Sequence, residues 1–182
     1  IDHFKSINDA HGHAIGDIVL RQIAERLRAA FRSSDHLVRW GGEEFLVVAR
    51  EVDQQQATDL AERVRRSFAE QPFVIDQGLN LSRTCSIGFA PLPWCRQAPE
   101  RIGWEHVVDF ADTGLYLAKH LQRDAWIGWT PNATMPATVD KPQPSLWQMV
   151  EAGHVDISSN LDPEDIRKAL QQRSARPLSE KR

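Results

Sequence analysis

Gly41-Gly42-Glu43-Glu44-Phe45 stands between two short apolar runs, Leu37-Val38 before it and Leu46-Val47-Val48-Ala49 after it. Strand-like residues on both sides of adjacent glycines read as a β-hairpin, because paired φ > 0 positions have almost no steric cost only at glycine. The turn ends in two carboxylates. Backbone that lacks side chains lets a ligand come close, and Glu43 and Glu44 can present oxygen to a hard cation such as Mg²⁺. The same five residues also suit an ordinary turn with solvated acids, so the rest of the chain decides their meaning.

The 182 residues suit one domain of ordinary size plus an appendage. A hydrophobic fraction of 41% and a charged fraction of 26% are those of a soluble globular protein. Lys+Arg 22 against Asp+Glu 25 gives a net charge of −3, which argues against a nucleic-acid polymer or an anionic membrane as partner. A small phosphorylated ligand needs only a local basic cluster and stays open. Cys85 and Cys95 have no metal-ligand spacing around them and read as reduced thiols in a cytosolic setting. No apolar run approaches the roughly 18 residues of a membrane span, and no signal peptide is seen. The expected location is therefore cytoplasmic. Because Ile1 opens directly on a motif-like stretch, the chain reads as part of a longer protein, with any sensor or membrane anchor upstream.

Along the chain, apolar residues at 1, 4 and 7 predict a strand end turning into a short helix that stops near Gly12. Residues 18–31 form an amphipathic pattern, with apolar positions 19, 20, 23, 27, 30 and 31 and Asp17 near the N-terminus, where the helix dipole favours a carboxylate. The hairpin follows. Asp53 caps a predicted helix over about 54–69, with Ala57, Leu60, Ala61, Val64 and Phe68 on its apolar stripe. Phe73-Val74-Ile75 and residues 79–90 read as strands around an Asp76-Gln77-Gly78 turn. Residues 104–120 form another helix and 126–129 a last strand. Helices alternating with hairpins give an α+β fold: a central mixed, mainly antiparallel sheet flanked by helices. Residues 131–145 carry four of the ten prolines and read as a linker. A final helix over about 162–172 opens with Asp162 as N-cap and Pro163 at its first position, and the tail from Arg173 is charged.

Several separated stretches, in one order, resemble the GGDEF domains, diguanylate cyclases that condense two GTP into cyclic di-GMP. They are Asp2-His3-Phe4-Lys5-Ser6-Ile7-Asn8-Asp9 with Gly12-His13 and Gly16-Asp17, then Arg39-Trp40-Gly41-Gly42-Glu43-Glu44-Phe45, then Ser86-Ile87-Gly88, then Ala111-Asp112 with Leu115-Tyr116 and Ala118-Lys119. Together they cover residues 1–130, expected to be the catalytic domain, with 131–182 as linker and C-terminal extension. The family pattern begins its first block with a further Asp, which would stand before Ile1, and ends its last block in Gly-Arg-Asn, where this chain has Gln122-Arg123-Asp124.

The resemblance implies specific roles. Glu43 matches the metal-binding acid of the turn, with Mg²⁺ or Mn²⁺ as cofactor, Ile1 matches a backbone-carbonyl ligand, and a further metal acid is implied directly before Ile1. Glu44 would bind metal or orient the attacking hydroxyl. Phe4, Gly41 and Gly42 match substrate-binding positions, and Asn8 and Asp17 match the guanine readers. An ionised carboxylate accepts guanine's adjacent N–H donors, a pair that adenine lacks, so Asp17 would favour GTP over ATP. Lys5, Lys119 and Arg123 match cations that hold phosphate; a spacing of four puts Lys119 and Arg123 on one helix face if the helix continues. Arg32-Ser33-Ser34-Asp35 fits the family's product-inhibition motif, completed by Arg63. The implied partners are GTP, cyclic di-GMP, a second copy during catalysis and an upstream regulatory domain. The competing reading is a catalytically weak module that binds GTP or cyclic di-GMP and passes a signal on.

Overall fold

The computed structural model describes residues 1–75, 78–136 and 144–175. The chain divides into two compact units, Ile1–Ser86 and Ile87–Arg182.

The first unit contains α1 (Phe4–His11), α2 (His13–Ala30), β1 (His36–Gly41), β2 (Glu44–Val48), α3 (Gln54–Glu70), β3 (Phe73–Val74) and β4 (Asn80–Leu81). The spacing of three at the start of the chain is borne out by α1, which buries Phe4 and Ile7. Gly12, at φ 80°, separates α1 from α2. Helix α2 begins at His13, earlier than the amphipathic pattern from 18 suggests, so Asp17 lies a turn inside it. Gly16 is a point of close approach between the helices. A β-carbon there would collide with Oδ1 of Asn8 on α1.

Asp53 caps α3 as expected. Its Oδ1 accepts from Gln56 N at 2.8 Å while Asp53 N donates to Gln56 Oε1 at 3.0 Å, a reciprocal cap that stabilises a helix by about 1 kcal/mol. Arg26 ties down the chain leaving α3. Its guanidinium donates to the carbonyls of Gln71 and Pro72, both at 2.6 Å, and lies 4.0 Å from the centre of the Phe73 ring. Strands β3 and β4 pair antiparallel. Of the turn predicted between them, Asp76 and Gln77 lie outside the described residues. The strand expected over 79–90 is interrupted after Leu81 because residues 82–86 pair with the start of the chain instead: Asp2 N donates to Thr84 O at 3.0 Å.

The second unit contains β5 (Ile87–Phe89), α4 (Trp104–Leu121), β6 (Trp126–Pro131), α5 (Leu146–Glu151), β7 (Val155–Ser159) and α6 (Pro163–Ala175). Strand β6 lies between β5, with which it runs parallel, and β7, with which it runs antiparallel. Parallel neighbours need a crossover, and α4 supplies it. The helix packs so closely on β5 that a β-carbon at Gly88 would collide with the backbone of Ala111 and Leu115. Among the described residues three of the four strand pairings are antiparallel, and the fold is α+β, with a mixed, mainly antiparallel pairing pattern.

The described residues after 130 are built into this second unit. Pro131 closes β6, and Ser145 caps α5 by accepting from Gln148 N. Neither α5 nor β7 is expected from a linker over 131–145 with a single helix near 162; residues 137–143 lie outside the described residues. Met149, Val155, Ile166 and Leu170 share one apolar core with Leu117 of α4 and Trp129 of β6. Helix α6 starts at Pro163 as predicted and runs to Ala175, with the Arg173 guanidinium 3.9 Å from the centre of the Tyr116 ring.

Candidate nucleotide site

Strands β1 and β2 pair from His36↔Val48 to Gly41↔Glu44, with a bulge between Arg39 and Gly41, so Gly42 and Glu43 are the two residues of the loop. The left-handed glycines among the described residues are Gly12, Gly78 and Gly153. The positive-φ argument for Gly41 and Gly42 is therefore corrected: this turn does not need glycine for its backbone conformation. What distinguishes both positions is empty space, since a β-carbon on either would meet nothing within 4 Å. Arg39 fixes the loop from below, donating from Nε (3.0 Å) and Nη2 (2.8 Å) to the Gly42 carbonyl.

Glu43 is half-buried and Glu44 exposed. The Glu43 carboxylate makes no hydrogen bond or ion pair among the described residues. Its carbonyl accepts from the Ile1 ammonium at 3.2 Å, so Ile1 and Glu43, two positions matched to the metal, lie side by side. Next to them Asp2 is buried, 2% exposed, and accepts from Thr84 Oγ1 (2.7 Å) and Ser86 Oγ (2.8 Å). These bonds satisfy a buried charge and fix the entry to α1, a task the sequence reading did not assign to Asp2.

On α1 the Phe4 side chain is buried, which leaves its backbone N–H, at the first helical position, as the group that can meet a ligand. Lys5 is exposed beside it. The Asn8 side chain packs against Gly16, the residue before the exposed Asp17, so the two positions expected to read guanine come together across the α1–α2 contact.

Lys119 and Arg123 belong to the second unit. Lys119 is in the last turn of α4, but the helix ends at Leu121 and Arg123 follows in a left-handed conformation, φ 61°. The shared helix face expected of the pair is therefore absent. Arg123 is instead the exposed side chain of the turn after α4.

Arg32, Asp35 and Arg63 gather at the C-terminal end of α2. Asp35 accepts from Arg50 N (3.0 Å) and Arg32 N (2.8 Å), and Arg63 Nη2 donates to the Ala30 carbonyl at 2.6 Å. The backbone N–H groups of Arg50 and then Arg32 hold the Asp35 carboxyl below its ordinary pKa. Each Asp35 oxygen is already used once, so this acid first organises its own turn.

Among the described residues no three His, Cys, Asp or Glu side chains group to hold a metal ion. The donors at hand are the Glu43 carboxylate, with Glu44 adjacent in sequence, and the Ile1 backbone. Such a set suits Mg²⁺, which is commonly held by one or two carboxylates together with substrate phosphates and water. No helix among the described residues is long and apolar enough to cross a membrane.

The first unit thus carries an acid-bearing Gly-Gly hairpin with open space beside its glycines, and the polar side chains of Asn8 and Asp17 on neighbouring helices. The family profile for the diguanylate cyclase GGDEF domain matches residues 1–125, and the chain belongs to the GGDEF family. It is 40% identical over 129 residues to response regulator PleD of Caulobacter vibrioides and 37% identical over 124 residues to diguanylate cyclase A of Treponema denticola. Those alignments cover 70% and 68% of this chain but only 27% and 32% of the relatives, so the chain spans about a third or less of either. Among solved structures it is similar to the active GGEEF domain of a diguanylate cyclase from Vibrio cholerae, with a TM-score of 0.58 and 32% identity, covering 68% of this chain and 74% of that one. It is likewise similar to the GGDEF domain of DgcB from Caulobacter crescentus in complex with c-di-GMP, with a TM-score of 0.59 and 30% identity, covering 68% and 70%.

Proposed function

We propose that this domain joins two GTP into cyclic di-GMP with release of pyrophosphate, as a diguanylate cyclase that works as a transient homodimer. The observation that carries the reading is the hairpin: two glycines with open space where side chains would stand, beside a Glu43 carboxylate with no partner among the described residues. Relatives named diguanylate cyclase support it.

In each half-reaction the oxygen of a ribose 3′-hydroxyl bonds to an α-phosphorus and its proton passes to solvent, while the bond from that phosphorus to the bridging oxygen breaks and pyrophosphate leaves with that oxygen. Glu43 and the Ile1 carbonyl would hold Mg²⁺, which would supply charge neutralisation at the phosphate oxygens. Glu44 orients the attacking hydroxyl or shares the metal. Along the guanine edge Asp17 accepts from the N–H donors and the Asn8 carboxamide donates or accepts. Lys5, Lys119 and Arg123 carry the positive charge meant for the triphosphate. Arg32, Asp35 and Arg63 form the feedback site, Arg32 with an exposed side chain and Arg63 pinned beside it at Ala30.

A second reading, a binding module for GTP or cyclic di-GMP, is favoured by the small number of metal-ligating side chains grouped in the described residues. The full-length protein incubated with GTP and Mg²⁺ decides between them by chromatography of the products. Cyclic di-GMP is expected, with Glu43→Gln lowering its formation by about 100-fold or more, the scale of a lost charge-stabilising group. Absence of product rejects the cyclase reading, and full turnover by Glu43→Gln rejects the metal assignment.

A further inference from the structure

Arg123 and Asp124 are consecutive non-glycine residues at φ 61° and 44°. Each left-handed residue with a β-carbon is disfavoured, and two in a row persist only where their surroundings over-determine them. On the helix side, Arg123 N donates to the Ala118 carbonyl at 2.8 Å, closing α4. On the far side the turn is held by residues beyond the family match. The Asn160 carboxamide bridges it: Trp126 N donates to Asn160 Oδ1 at 2.9 Å, and Asn160 Nδ2 donates to the Asp124 carbonyl at 3.4 Å. Ser159, the last residue of β7, donates from its hydroxyl to the Trp126 carbonyl at 2.7 Å. Antiparallel pairing of β7 with β6 brings both side chains to this point, with Ile127 opposite Ser159.

We propose that Asn160 is a positioning residue for Arg123, through which the segment after the family match fixes the turn that aims the phosphate-holding cation. The inference rests on reading Arg123 as a triphosphate contact. It gives the extension a task in substrate binding: the turn has Gln122 and Asp124 where the family pattern has Gly and Asn, and a carboxamide 36 residues along the chain from Asp124 holds its backbone.

The test is calorimetric binding of a GTP α-thio analogue with Mg²⁺ to the full-length protein, alongside KM and kcat for GTP. Asn160→Ala is expected to weaken analogue binding and raise KM about five- to tenfold, the scale of one or two lost hydrogen bonds. Asn160→Asp keeps the acceptor for Trp126 N and loses the donor to Asp124, so a smaller change in the same direction is expected from it, and it serves if the alanine variant does not fold. In an Arg123→Ala background either change at Asn160 should add little, because the side chain being aimed is gone. Asn160 variants that bind like the parent, or that lose the same factor with and without Arg123, overturn the inference while the phosphate role of Arg123 survives. An Arg123→Ala protein with unchanged affinity overturns that role and the inference together.

Discussion

Two pairs of glycines in this chain have opposite surroundings. Around Gly41 and Gly42 a β-carbon would meet nothing, whereas at Gly88 and Gly114 it would press into the backbone or side chains of the facing element. The crowded pair is there because α4 and β5 approach to backbone contact, so its absence of side chains serves packing. The open pair has no fold-level reason to be glycine: its φ values are not left-handed and its neighbours leave room. This contrast separates an open turn, the one proposed to face the nucleotide, from a packing seam.

The comparison breaks most readily at Gly88. Gly88→Ala is expected to destabilise the protein by about 3 kcal/mol, because backbone must move to admit the methyl group, and chemical denaturation measures it. A loss under about 0.5 kcal/mol would mean that the seam is looser than its geometry. Gly42→Val should do the reverse. Stability within about 0.5 kcal/mol of the parent is expected together with a drop of about 100-fold in cyclic di-GMP formation, about 2.7 kcal/mol at the transition state. Retained synthesis with lost stability would erase the distinction between the two pairs.

The smallest effect is at Asp35, whose carboxyl lies below its ordinary pKa because Arg50 N and Arg32 N donate to it. Folding therefore favours its ionised form. That contribution is complete above the carboxyl's unfolded pKa and is lost as pH falls through the lower folded one. Carboxyl titration by NMR should place Asp35 below the other exposed aspartates, and Asp35→Asn should remove the corresponding acid dependence. An Asp35 that titrates with the rest would show that the turn holding Arg32 is not built on this acid.

Local rules carried much of the fold. The reciprocal cap of Asp53 and Gln56, the Pro163 start of α6 and the apolar spacing of α1 are short-range chemistry and could be read directly. Ser145 and Gln148 form the same kind of cap, three residues apart, and α5 was legible from it despite the prolines that precede it. Strand β7 was harder: its five residues alternate only weakly, and its place is set by β6. At the site, residue types and order pointed to Glu43, Asn8 and Asp17, but not to the groups that fix the loop and the entry to α1. Arg39 acts through a carbonyl and Asp2 through hydroxyls more than 80 positions away. Long-range pairings of this kind leave no period or spacing in a sequence. Helix α2 began earlier than expected because a glycine inside a helix is usually a break, and here Asn8 occupies the space its side chain would have filled.

Strand β6 begins at Trp126, one residue past the end of the family match at 125, and is hydrogen-bonded on both sides. A gene splice at the end of the recognisable block would therefore deprive β5 of its parallel neighbour and remove Trp129, Met149 and Ile166 from the core they share with α4. For this chain the segment to move intact between proteins, in a chimera or a sensor swap, reaches at least to Ala175.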